Sequence, residues 1–165
     1  VLCALLLISG KVYGQTTIFF DYKNPRNGKL ETASNYLSDF ALRSRIRDVR
    51  CYEMGWYRFR VRQKAVIDSV AFYGDIHPEL RALGEKSIRE SQVYWQCRDC
   101  EKTGGHWFTI PVLLAFTCVG NCAPNAIYDQ SSAFWNELFR DHKSQQIPVS
   151  PTEWLLAPMS VTCMR

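Results

Sequence analysis

Trp56-Tyr57-Arg58-Phe59-Arg60-Val61-Arg62-Gln63 alternates with a period of two: Tyr57, Phe59 and Val61 fall on one side, and Trp56, Arg58, Arg60 and Arg62 on the other. Extended backbone places every second residue on the same face, so this stretch reads as a half-buried strand. After Lys64 and Ala65 a second strand runs on to Tyr73, with Val66, Asp68, Val70 and Phe72 opposite Ile67, Ser69 and Ala71. The pair is predicted to form a hairpin whose turn lacks the glycine such turns favour.

On the C-terminal side, Gly74 and Asp75 stop the second strand and Pro78 sits where a first helical residue tolerates proline. Leu80, Leu83, Gly84, Ser87 and Ile88 then share one helical stripe, with Glu85 and Arg89 spaced as an i,i+4 ion pair. A third strand is predicted over residues 106–118, with Phe108, Ile110, Val112, Leu114 and Phe116 facing one way. Pro111 removes one ladder donor from it, which suits an edge strand. On the N-terminal side, residues 15–30 form a turn-rich lead-in, with Asp21, Asn24, Pro25, Asn27 and Gly28 after a short apolar stretch. A helix capped by Ser34 or Thr32 follows to about Ser44, with Tyr36, Leu37, Phe40, Ala41 and Leu42 on its apolar face. Beyond Asn125, a short helix over residues 132–142 pairs Phe134 with Leu138 and Trp135 with Phe139. The tail, residues 147–159, carries Pro148, Pro151 and Pro158 and is expected to lie extended over the domain.

A chain of 165 residues with 47% hydrophobic and 22% charged side chains can bury a core, and one domain is expected. Residues 1–8 are almost wholly apolar, and Ser9, Gly10, Lys11, Val12, Tyr13 and Gly14 lead from them to Gln15. That is the pattern of a signal peptide, already under way at residue 1 and cut after Gly14, leaving residues 15–165 as the exported domain. The apolar stretch is too short to span a bilayer. No cysteine follows the cut, so a lipid anchor is not expected, and the product is expected to be soluble in the periplasm or secreted. The net charge of +4 falls by one with Lys11, a balance that implies no nucleic-acid partner.

Of the seven cysteines, Cys3 leaves with the signal, and Cys51, Cys97, Cys100, Cys118, Cys122 and Cys163 remain. An even number after an export signal reads as disulfides. If the third strand lies antiparallel beside the first, Cys51 comes near Cys118. A bridge from Cys51 to Cys118 or Cys122 is then preferred, with Cys163 taking the remaining one and Cys97 closing locally on Cys100. The alternative is a zinc-ribbon-like site in which Cys97, Cys100, Cys118 and Cys122 supply four thiolates. It requires the third strand to fold back, for instance at Pro111. A thioredoxin-like use of Cys97-Arg98-Asp99-Cys100 places the first cysteine at a helix N-terminus, whereas this pair follows a helix.

The order of these pieces resembles the TonB C-terminal domain family of Gram-negative bacteria over residues 37–116. The matching pieces are Arg45-Ile46-Arg47, Gly55 before Tyr57-Arg58-Phe59-Arg60-Val61, Val66-Ile67-Asp68-Ser69-Val70, and the helix over residues 80–88. Trp95, Gly104-Gly105 and Phe108-Thr109-Ile110-Pro111-Val112 before Phe116 complete the series. The resemblance implies an α+β fold: a three-stranded antiparallel sheet, made as hairpin, helix, strand, with two helices packed on one face. The C-terminal helix and extended tail lie outside it. It also implies a periplasmic setting and docking to a partner by strand pairing. The departures are the hairpin glycine, replaced near Lys64-Ala65, the proline missing after Trp95, the added cysteines, and the lack of a membrane anchor and Pro-rich spacer. They point to a TonB-like domain without the energy-transducing role.

His77, His106 and His142 show no metal-binding spacing, and no G-x-S-x-G, P-loop or dinucleotide-binding glycine pattern is present. Asp68, Asp75 and His77 can meet at the hairpin end as an acid-base group, although a turn and a helix cap explain them without chemistry. The Arg58, Arg60, Arg62 ladder with Trp56 beside it can grip an anionic ligand or partner, or can be a solvated face flanked by acids. The expected function is a non-catalytic interaction domain, with no cofactor, that accepts a protein or peptide strand along a free sheet edge. The zinc-ribbon reading is its alternative, and a hydrolase using Asp68 or His77 stands third.

Overall fold

Tyr57, Phe59 and Val61 are completely buried while Trp56 keeps 48% of its surface exposed, so the alternation in this strand separates a core face from an outer face. The computed structural model of the chain describes residues 18–43, 52–116, 126–140, 146–150 and 152–163. In chain order the elements are β1 (Ile18–Phe20), β2 (Tyr22–Lys23), β3 (Leu30–Glu31), α1 (Ala33–Arg43), β4 (Tyr52–Val61), β5 (Ile67–Asp75) and α2 (Pro78–Glu90). They continue with β6 (Trp95–Cys97), α3 (Cys100–Thr103), β7 (His106–Phe116), α4 (Ala126–Arg140), β8 (Gln146–Ser150), β9 (Glu153–Leu156) and β10 (Met159–Cys163). The predicted signal segment, residues 1–14, lies outside the described residues, as do Cys51, Cys118, Cys122 and His142.

The architecture is α+β, but the three-stranded antiparallel sheet expected from the sequence is corrected to a six-stranded mixed sheet. Its order is β5-β4-β7-β9-β8, with β10 also paired to β7. β4 is antiparallel to both β5 and β7, whereas β9 and β10 run parallel to β7. The tail therefore contributes strands to the sheet instead of lying over it, and β7 becomes an interior strand. On one side Pro111 pairs with Trp56 of β4, while on the other the pairing is broken at its level: β9 covers Trp107 to Thr109 and β10 covers Val112 to Phe116. Between the two, the tail passes through Leu156, Ala157 and Pro158 with one residue more than β7, so the tail strands ask no ladder bond of the proline. Two small two-stranded sheets, β1 with β6 and β2 with β3, flank the main one.

The hairpin turn is a single 3-10 turn, Gln63–Ala65, in which Lys64 and Ala65 adopt φ of 57° and 60° without being glycine. A bulge follows it, since Arg60 faces Ser69 but Val61 faces Ile67. The extra residue breaks strict alternation along β5. Ile67 is buried and joins Val70 and Phe72 at the core, while Val66 is exposed. The predicted facing of Val66 and Asp68 with Val70 and Phe72 is corrected accordingly.

α1 and α2 pack against each other on the core side of the sheet. Thr32 Oγ1 caps α1 by accepting from the Asn35 N–H at 3.2 Å, and Ser34 donates to the Ala157 carbonyl at 2.6 Å. Pro78 opens α2, and His77 Nδ1 accepts the Glu79 N–H. Glu85 pairs backwards with Arg81 at 3.1 Å rather than with Arg89. Tyr57 lies beneath α2 and donates its hydroxyl hydrogen to the Arg81 carbonyl at 3.0 Å, while Gly84 leaves the phenol its space. Burial pushes the Tyr57 phenol well above its usual range. Trp95 closes the core against Phe59 and Phe108, with ring centroids 5.8 and 4.5 Å away. α4 begins earlier than predicted; Phe134 packs edge-on to Trp135, and the side chains of Leu138 and Phe139 lie outside those described. Among the described residues, no helix is long and apolar enough to cross a membrane.

Candidate functional site

The outer face of the sheet is built on β4. Arg58 donates to Glu153 at 2.9 Å and lies over the Trp107 ring, 4.3 Å from its centroid. Arg60 forks both oxygens of Asp68 at 2.9 and 2.8 Å, and Arg62 reaches the same carboxylate at 3.1 Å. These bonds, Arg60's first, hold the Asp68 carboxyl below its ordinary range and raise Arg60 in return. Every guanidinium of the ladder therefore has an acidic partner. The surface is a latticed set of ion pairs around Trp107 rather than an open anion cradle.

Farther along β4 the outer face turns apolar. Trp56 stacks on Tyr73 of β5, with centroids 5.8 Å apart and planes 20° from parallel, and both rings remain about half exposed. Beside them a recess of about 330 Å³ lies between the sheet and α4, lined by Met54, Trp56, Pro111, Leu113, Ser131 and Trp135. The outer edge of β5 has no strand partner among the described residues, whereas β7 has partners on both sides.

A second polar centre joins β6, α3, β7 and β9. Cys97 and Cys100 are disulfide-bonded, with Cα atoms 5.7 Å apart. Cys100 begins the single turn α3, so the pair bridges a strand end and a helix start. Asp99, between them, faces His106 at the head of β7, and the carboxylate lies 2.7 Å from Nε2. On the other side of the ring, Trp154 of β9 donates its indole N–H to Nδ1 at 3.2 Å. An indole can only donate, so Nδ1 accepts and the ring proton sits on Nε2, facing Asp99. His106 is completely buried. Cys97, Asp99, Cys100 and His106 each bring one donor atom within 4.8 Å of the others.

The expected acid-base group is not assembled. Asp68 and Asp75 lie at opposite ends of β5, Asp68 is committed to arginines, and His77 caps α2. Cys163 lies in β10 opposite Phe116, and its side chain is outside those described. His106, Asp99 and Trp154 escaped the sequence reading, yet one signal for His106 was present. It shares the parity of Phe108, Ile110, Val112 and Leu114, so it heads the buried face of β7. Comparison with family models, curated proteins and solved structures returns no match.

Proposed function

We propose that this chain is an exported, non-catalytic interaction domain that binds an extended segment of a partner protein along the outer edge of β5. The observation carrying this reading is that β5, at one end of the main sheet, has no strand partner on its outer side among the described residues. A strand edge offers a row of backbone donors and acceptors that an incoming strand satisfies, so it supplies affinity with little demand on sequence. Specificity would come from the adjoining apolar surface. Met54, Trp56 and Tyr73 are exposed together next to that edge, and large apolar side chains grouped on a surface favour a partner. A segment with an aromatic or aliphatic residue reaching the recess under Trp135 fits this surface best. The likeness to TonB C-terminal domains supports a periplasmic setting and recognition by strand pairing.

Selection from a displayed library of short linear peptides, followed by hydrogen exchange on the complex, tests the reading. Bound peptides should slow exchange of amides within residues 67–73, and Trp56→Ala should weaken them by roughly tenfold, as interface aromatics commonly do. Failure to select any peptide, or protection confined to another face, would reject it.

A further inference from the structure

We propose that Cys97, Asp99, Cys100 and His106 form a thiol-gated cation site, closed as a disulfide when oxidised and open to a divalent, thiolate-seeking metal such as zinc when reduced. One donor atom from each residue already lies within 4.8 Å of the other three. Tetrahedral zinc, with bonds of about 2.0–2.3 Å, needs donors roughly 3.3–3.8 Å apart, so the set closes with small side-chain movements. Two thiolates, an imidazole and a carboxylate are all donors that zinc accepts. The site is also built into the fold: His106 is completely buried, Cys100 is 3% exposed, and Asp99 already bonds the imidazole. This inference is independent of what binds β5.

The two states exclude each other because the same sulfur atoms serve either the S–S bond or the metal. An external dithiol opens the bond by exchange: it gives two electrons and two protons, leaves two thiols on the chain, and ends as its own disulfide. Zinc binding then displaces the two thiol protons to solvent and takes the two thiolates.

His106 sets a condition on this site that a bare list of ligands would miss. A histidine that ligates through Nε2 carries its proton on Nδ1 and donates it to an outer partner. Here Nδ1 faces a second donor, the Trp154 indole N–H at 3.2 Å. Metal binding must therefore turn Trp154 away, which makes this indole an opponent of the metal. Trp154→Phe removes the opposing donor and keeps most of the ring bulk.

The test is native mass spectrometry and a zinc competition titration on the full chain, before and after reduction by a phosphine. The oxidised chain should carry no zinc and the reduced chain one. Cys97→Ser with Cys100→Ser should abolish that zinc while leaving every other cysteine in place. His106→Gln, which removes a direct ligand, should weaken it by more than the roughly 10- to 100-fold that loss of an outer partner costs, and Trp154→Phe should tighten it several-fold. Cobalt bound to the reduced wild type gives a thiolate charge-transfer band that should vanish on reoxidation, which needs no variant to fold. No zinc on the reduced wild type, or equal zinc on the double-serine chain, overturns the proposal. Unchanged or weaker binding by Trp154→Phe removes His106 from the ligand set and overturns the four-residue assignment.

Discussion

A β-carbon built on Gly84 would stand 2.2 Å from the Tyr57 Oη, so α2 and β4 meet with no room for a methyl group. Gly84→Ala should therefore destabilise, although alanine gains about 1 kcal/mol over glycine inside a helix. Overpacking costs about 1–3 kcal/mol, and the upper half of that range is expected because the phenol is fully buried and bonded to Arg81. Tyr57→Phe alone should cost about 1 kcal/mol for the lost hydrogen bond. Combining the two should cost less than their sum, since the clashing oxygen is gone. Urea denaturation of the four proteins checks this.

The Asp68 carboxyl should titrate below a free aspartate, and Arg60→Gln should bring it back up. The sign follows from its depressed folded value. Its contribution to stability is complete above the unfolded value of about 4 and is lost as pH falls through the folded value. Carbon-detected NMR titration of the carboxyl reports both midpoints. A midpoint unmoved by Arg60→Gln would show that the fork at 2.9 and 2.8 Å does not persist in solution.

Leu156 and Met159 are 1% exposed, and Ser34 anchors α1 to the tail through the Ala157 carbonyl. Leu156→Ala and Met159→Ala should each cost about 2–5 kcal/mol, as buried truncations do. Ser34→Ala should cost about 1 kcal/mol. Thermal or chemical melts decide whether these residues belong to the core or merely lie against it, for which little change would be expected.

Lys64 has φ 57° and ψ 29°, a left-handed conformation that L side chains adopt at a cost of about 1–2 kcal/mol. Lys64→Gly should stabilise by about 0.5–1 kcal/mol after the extra freedom of glycine in the unfolded chain is counted. The urea midpoint should rise with its slope unchanged.

What was legible in the sequence was whatever repeats locally. Tyr57, Phe59 and Val61 declare their face by parity, and Leu80, Gly84 and Ile88 by helical spacing. The bulge beside Val61 was invisible, because one inserted residue resets the parity of β5 without leaving a compositional trace. The strands of the tail were hidden by length and proline, and a short run such as Glu153 to Leu156 gains strand character only from the β7 edge it joins. The site at His106 depended on distance along the chain. Trp154 is 48 positions from His106, and Glu153 is 95 from Arg58, separations at which no spacing rule operates.

The bond from Ser34 to the Ala157 carbonyl spans 123 positions, and β9 and β10 lie beside a strand made long before them. Pairings so distant in sequence form late, because the loop must close before the contact repays it. The apolar groups around Leu156 and Met159 thus stay unsealed until β9 and β10 have been delivered. A polypeptide threaded through a narrow channel, N-terminus first, would remain pliable throughout its passage and lock only after release. Removing β9 and β10 should convert a folding protein into a ready client for chaperones and proteases.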